Sequence, residues 1–204
     1  QPGIASTMAR EQGFEDTIRK TPGIQIVDKR FGLADFAAMT APQLGSVALD
    51  AAVSRARLTP EDIENVVMGC VLPAGQGQAP ARQAALGAGM PKSTGCTTVN
   101  KMCGSGMQAI MFAHDMIAGG SFDVMAAGGM ESMSNAPYLL PKARGGYRLG
   151  HDRVMDSMFL DGLEDAYDRG RLMGTFAEDA AQSYQFSREQ QDAFALQSNQ
   201  RAVA

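Results

Sequence analysis

The sequence predicts an α/β fold in which helices layer onto a sheet, and three observations carry that expectation. Val66-Val67-Met68-Gly69-Cys70-Val71-Leu72 is a continuous apolar run of strand length, the pattern of a strand covered on both faces. Asp123-Val124-Met125-Ala126-Ala127 is a second such run, closed by Gly128-Gly129. Helical periods lie before and between them, and alternation of helix with buried strand builds layered sheets.

Composition narrows the function classes. With 204 residues there is room for one domain, or for one domain and a smaller appendage. A formal charge of -4 and the lack of any basic run argue against a nucleic-acid partner. No apolar stretch reaches the length of a membrane span, so no membrane partner is expected. Cys70, Cys96 and Cys103 are an odd set without a paired framework, which suggests a reducing compartment and a cytoplasmic location. Without a CxxC pair, and with two histidines, no zinc site is expected. The N-terminus also lacks the basic-then-apolar layout of a secretion signal.

Taken in order, Met8 to Lys20 is polar and helix-tolerant, and Gly23-Ile24-Gln25-Ile26-Val27-Asp28 reads as a short strand. Pro42 opens a helix to about Arg57 in which Leu44, Val47, Ala48, Ala51, Ala52 and Ala56 are spaced for one buried face. Thr59 is an N-cap with Pro60 at the first helical position, and that short turn leads into the Val66 run. Pro73, Gly75, Gly77 and Pro80 mark a loop ahead of a helix from about Ala79 to Ala88. Thr97 to Asn100 is the next strand, and a helix from Cys103 to about Ala118 stops at Gly119-Gly120. From Ser132 to about Gly174 strand patterns disappear while glycines punctuate charged and aromatic residues. So long an irregular stretch is usually functional. Ser187-Arg188-Glu189-Gln190 is a capping box, and its helix runs into Ala204 without a stop signal, the pattern of a truncated chain.

Within this order Thr98-Val99-Asn100-Lys101-Met102-Cys103-Gly104-Ser105-Gly106-Met107-Gln108-Ala109-Ile110 stands out. A cysteine at a helix N-terminus lies among free N–H groups and the positive end of the helix dipole, and both favour the thiolate. The thiolate is the nucleophile, so Cys103 is the candidate catalytic residue. Gly104 and Gly106 leave room for a carbonyl to approach, and the neighbouring amides are candidate oxyanion donors. The plainer alternative is a small buried thiol in a packed turn. His114 follows Cys103 by eleven positions, a rise of ~16 Å along a helix, too far for it to be the base. His151 has nothing around it to set a tautomer. Cys70 and Cys96 read as packed thiols. Met102, Met107, Met111 and Met116, among fourteen methionines, either line a site for a flexible chain or fill core gaps.

The Cys103 stretch resembles the acylation site of the thiolases, the acetyl-CoA acetyltransferases and 3-ketoacyl-CoA thiolases. Colinear matches lie at Ala41-Pro42-Gln43-Leu44-Gly45 and at Gly75 to Ala84. Others are Ala126-Ala127-Gly128-Gly129-Met130-Glu131-Ser132-Met133-Ser134 and Ala136-Pro137-Tyr138-Leu139-Leu140-Pro141. The resemblance implies a mixed five-stranded sheet layered with helices, with Cys103 at the N-terminus of a buried helix. It divides the chain into an atypical segment 1–30, an α/β core 31–131 and part of a loop domain 132–204. By local match Leu163 lies near a pantetheine chain and Met173 near the reacting thioester. The family implies acyl-CoA and coenzyme A as substrates, no further cofactor, a place in fatty acid metabolism, and a homodimer or homotetramer.

The sequence departs from the family in four places. Residues 10–28 are faintly similar to a helix-strand unit of periplasmic sugar-binding proteins. Leu172 stands where several biosynthetic members carry a histidine. Gly170-Arg171 adds a residue to that loop. The Gly-His-Pro, Cys-x-Gly-Gly-Gly and Asn-Glu-Ala-Phe segments of the family's C-terminal half are not in this sequence. The implied chemistry is acylation of Cys103 followed by Claisen condensation or its reverse. The alternatives are a β-ketoacyl synthase-like condensing enzyme and a non-catalytic fragment or assembly partner.

Overall fold

A computed structural model describes residues 38–203. The readings for Met8–Lys20 and Gly23–Asp28, and the segment 1–30, lie outside the described residues.

Helix α1 (Ala41–Arg55) is capped by Thr40, whose hydroxyl accepts the Gln43 amide while Gln43 Oε1 accepts the Thr40 amide at 2.8 Å. Its buried residues are Ala41, Pro42, Gly45, Leu49 and Val53. The expected stripe is therefore rotated: Val47 is 63% exposed, and the i, i+4 row through Gly45 faces inward instead. The helix is alanine-rich on all sides, so periodicity alone could not choose. Gly45 chooses, because a Cβ there would fall 2.7 Å from Met130 Sδ and 3.1 Å from Ala84 Cβ.

Thr59-Pro60 opens a single 3-10 turn, Pro60–Asp62, rather than an α-helix. Strand β1 (Asn65–Gly69) follows, then α2 (Pro80–Gly87), β2 (Gly95–Val99), α3 (Ser105–Ala118) and β3 (Met125–Gly129). The strands form a parallel sheet in the order β2-β1-β3, with Gly69 paired to Val99 on one side and Gly129 on the other. Among the described residues the main sheet thus has three strands, all parallel.

Side chains alternate across a strand, and β1 is sealed on both faces. Val66, Met68 and Cys70 enter a core with Leu49, Val53, Ala81, Ala84 and Ala85, which belong to α1 and α2. The other face, to which Gly69 belongs, meets α3. The result is a helix layer, a sheet and a second helix layer.

Helix α3 differs from expectation. Only Ser105, Ala109 and Ala113 of it are buried, while Met107, Ile110, Met111 and Phe112 are all exposed. The sheet covers its small-residue stripe, and no described element covers the rest. Met102, Met107, Met111 and Met116 are accordingly surface residues here and fill no core gap.

Beyond β3 the chain is less irregular than the sequence suggests. Strands β4 (Tyr138–Leu139) and β5 (Met155–Asp156) pair antiparallel, and a π-helical turn spans Phe159–Leu163. Helix α4 (Met173–Ser183) was not expected, and α5 (Arg188–Val203) was. The Ser187 box closes as read, with the Gln190 amide donating to Ser187 Oγ and Gln190 Oε1 accepting the Ser187 amide. No helix among the described residues is long and apolar enough to cross a membrane.

Candidate active site

The loops that leave β1, β2 and β3 all emerge at the carboxyl edge of the sheet, where open α/β sheets bind ligands. Cys103 lies in the loop after β2. It is exposed, whereas Cys70 is buried and Cys96 intermediate. Helix α3 begins at Ser105 with Gly104 as N-cap, so Cys103 stands just before the helix rather than in its first turn. Exposure rules out the packed-thiol reading for Cys103 in this chain.

Three glycines let the helix end come this close to the strands. A Cβ at Gly69 would lie 2.6 Å from the Ser105 carbonyl carbon and 2.7 Å from the Gly106 nitrogen. Gly106 and Gly129 face each other, and a Cβ on Gly129 would meet Gly106 Cα at 3.3 Å. Backbone thus packs on backbone, and the turn bearing Cys103 is seated directly on the ends of β1 and β3.

Hydrogen bonds fix the turn itself. Met102 has φ 49°, a left-handed conformation uncommon for a residue with a side chain. Asn100 Oδ1 accepts its amide at 2.9 Å, and its carbonyl accepts the Ser105 hydroxyl at 2.6 Å. Ser105 Oγ in turn accepts the Lys101 amide at 2.8 Å. Cys103 is held between two anchored residues with its side chain in the open.

Glu131, directly after Met130, accepts the Val71 amide at 2.8 Å and the Leu72 amide at 3.0 Å. Its Oε1 also lies 3.5 Å from Cys70 Sγ. Burial, reinforced by that carboxylate, pushes the Cys70 thiol up to about 12. Cys70 is therefore a protonated, inert thiol at neutral pH. Cys96, at the opposite end of β2, is likewise pushed up by burial.

The histidines do not serve this turn. His114 is exposed on α3 and pairs with its neighbour Asp115 at 3.1 Å, and His151 is exposed in the loop region. Leu163 closes the π turn and Met173 opens α4, and an isolated antiparallel bridge joins their chain neighbours Glu164 and Leu172. Leu163 is half-buried, while Met173 is 43% exposed. None of the hydrogen bonds around Cys103 reaches either residue. Packing supplies a link, since a Cβ on Gly162 would touch Leu72 Cδ2 at 3.4 Å. Arg171 braces the start of α4, donating to Thr175 Oγ1 at 3.2 Å, pairing with Asp179 and stacking 3.7 Å over Phe176.

The sequence model of the family described as thiolase, N-terminal domain, matches residues 27–204. The chain belongs to the thiolase family. Acetyl-CoA acetyltransferase 1 of Arabidopsis thaliana is 53% identical over 173 residues, 84% of this chain and 41% of that protein. Acetyl-CoA acetyltransferase of Chromobacterium violaceum is 47% identical over 168 residues, covering 82% of this chain and 43% of that one. The mitochondrial acetyl-CoA acetyltransferase of Bos taurus is 46% identical over 172 residues, covering 84% and 40%. The chain spans about two fifths of the length of these curated relatives.

In this thiolase chain, sequence reasoning singled out Cys103 but gave no role to Gly69, Asn100, Ser105 or Glu131. Asn100, Ser105 and Glu131 sit inside quoted motifs, so their positions were visible. Their partners were not, because Glu131 and Val71 stand sixty residues apart.

Proposed function

We propose that this chain carries the acyl-accepting part of an acetyl-CoA acetyltransferase or related 3-ketoacyl-CoA thiolase, with Cys103 as nucleophile. One observation supports the reading above others: an exposed cysteine on a glycine-seated, hydrogen-bonded turn at the carboxyl edge of a parallel sheet. The Cys103 thiolate attacks the carbonyl carbon of an acyl-CoA. A C–S bond to the protein forms, the bond to coenzyme A breaks, and the leaving thiolate takes up the proton that Cys103 gave up. The Cys103 amide donates to the oxyanion of the intermediate. In the second step a carbanion from acetyl-CoA attacks the acyl group and Cys103 is released as thiolate; thiolysis is the reverse. The base that makes the carbanion is assigned to the family's C-terminal segments, since neither histidine here serves the turn. Leu163 and Met173 are proposed to line the pantetheine and thioester, supported by the bridge between their chain neighbours Glu164 and Leu172.

Mass spectrometry after incubation with acetyl-CoA tests this. One acetyl group on Cys103, lost in Cys103→Ala, is the expected result. An adduct that survives Cys103→Ala, or none while iodoacetamide labels Cys103 freely, overturns autonomous acylation. A second reading, assembly partner without its own turnover, is favoured by the apolar face of α3, where Met107 is 62% and Ile110 57% exposed. A homodimer or homotetramer belongs to either reading.

A further inference from the structure

We propose that Glu131 is a positioning residue whose carboxylate fixes the Cys103 turn through Val71 and Asn100. The links form one unbroken path. Glu131 Oε2 and Oε1 accept the successive amides of Val71 and Leu72 at 2.8 and 3.0 Å, two charge-assisted bonds that leave the loop after β1 little freedom. The Val71 carbonyl then accepts Asn100 Nδ2 at 3.3 Å. With its Nδ2 so engaged, Asn100 turns its Oδ1 toward the Met102 amide, 2.9 Å away.

Met102 is the left-handed residue beside the nucleophile. A side-chain-bearing residue in that conformation is strained and persists only where its surroundings impose it. Asn100 and Ser105 impose it from either side. Asn100 is exposed and holds the orientation it needs through Val71, which in turn is held by Glu131.

The same carboxylate reaches the loop region. Leu72, bonded to Glu131, is buried and packs on Gly162, next to Leu163. Glu131 thus stands at a junction: one branch runs to the nucleophile, the other to the turn carrying Leu163. Burial, reinforced by the contact with Glu131, raises the Cys70 thiol, so this neighbouring thiol does not compete with Cys103.

This inference rests on the proposed role of Cys103, but its test needs no acyl-CoA. The pH dependence of Cys103 alkylation by iodoacetamide is measured in the full chain for Glu131→Ala, Glu131→Gln, Asn100→Ala and the Glu131→Ala/Asn100→Ala double variant. Glu131→Ala and Asn100→Ala should each slow alkylation at neutral pH by about tenfold and displace its pH profile, as expected when a reacting group is released from its geometry. Because both act on one path, the double variant should be no slower than the slower single variant. Glu131→Gln keeps one acceptor and presents an amide donor to the other N–H, so its effect should be intermediate.

Unchanged profiles in Glu131→Ala and Asn100→Ala, or single effects that multiply in the double variant, overturn the path. Should Glu131→Ala fail to fold, Glu131→Gln decides: a profile identical to the parent overturns the proposal. If the parent chain fails to acetylate while alkylation responds as described, the function reading falls and the positioning role stands. If Cys103 is acetylated while its alkylation profile is indifferent to Glu131, the positioning role falls and the function reading stands.

Discussion

Residues 60–132 and residues 133–203 of this chain are built on different terms. In the first, backbone meets backbone: Gly69, Gly106 and Gly129 bring strand ends and helix into contact, and Val66, Val67 and Met68 are at most 1% exposed. In the second, local pairs such as Arg188 with Asp192 hold single elements, and large apolar groups stay in the open, Tyr167 at 98% and Phe194 at 74%. The comparison teaches where precision is needed. The Cys103 turn inherits its geometry from a packed sheet, whereas the loop region supplies contacts whose strength depends on what covers them.

The largest test of this contrast is truncation of a buried against an exposed side chain. Met68→Ala empties a fully buried site and should cost about 2–5 kcal/mol. Phe194→Ala, on α5, should change stability by at most about 0.5 kcal/mol. Urea midpoints of the two variants check the pair; equal losses would erase the distinction between the regions.

Glycine replacement sharpens the same contrast at the site. Gly69→Ala drives a Cβ into the backbone of Ser105 and Gly106, which cannot rotate away, and should cost about 1–3 kcal/mol while displacing the Cys103 turn. Gly174→Ala meets nothing within 4 Å in the first turn of α4, and should stabilise by about 0.4–1 kcal/mol through the unfolded chain. Thermal unfolding gives the two signs. A neutral Gly69→Ala would mean that the helix end is free to shift.

The same division explains what the sequence revealed. The Val66–Leu72 run, Pro42 at the start of α1, the Ser187 box and the glycine stop after Ala118 are local signals, and each element lies within a few residues of its reading. The buried face of α1 was misread because alanines on every side give the pattern no direction, and Gly45 meets its partners only in three dimensions. Strands β4 and β5 have two residues each, too few to show a period, and their ladder joins Tyr138 to Asp156. Cys103 could be named from its glycines. The bonds that hold its turn could not, because Val71, Asn100 and Glu131 converge only once three strand ends are aligned.

Two cysteines on either side of that convergence offer the last and finest comparison. Cys103 is open to solvent, while Cys70 is buried beside the Glu131 carboxylate, with its thiol pushed up from the ordinary 9.0 to about 12. At neutral pH iodoacetamide should therefore label Cys103 and spare Cys70 until denaturant is added. Linkage gives the sign at alkaline pH. Between 9.0 and about 12 the unfolded chain has lost a proton that the folded chain keeps, so the stabilising contribution is full below that interval and fades across it. Cys70→Ala removes the group and should flatten that part of the alkaline decline in the urea midpoint. A decline of unchanged slope in Cys70→Ala would show that the carboxylate and burial around Cys70 do not hold its proton, and that the two thiols differ in access alone.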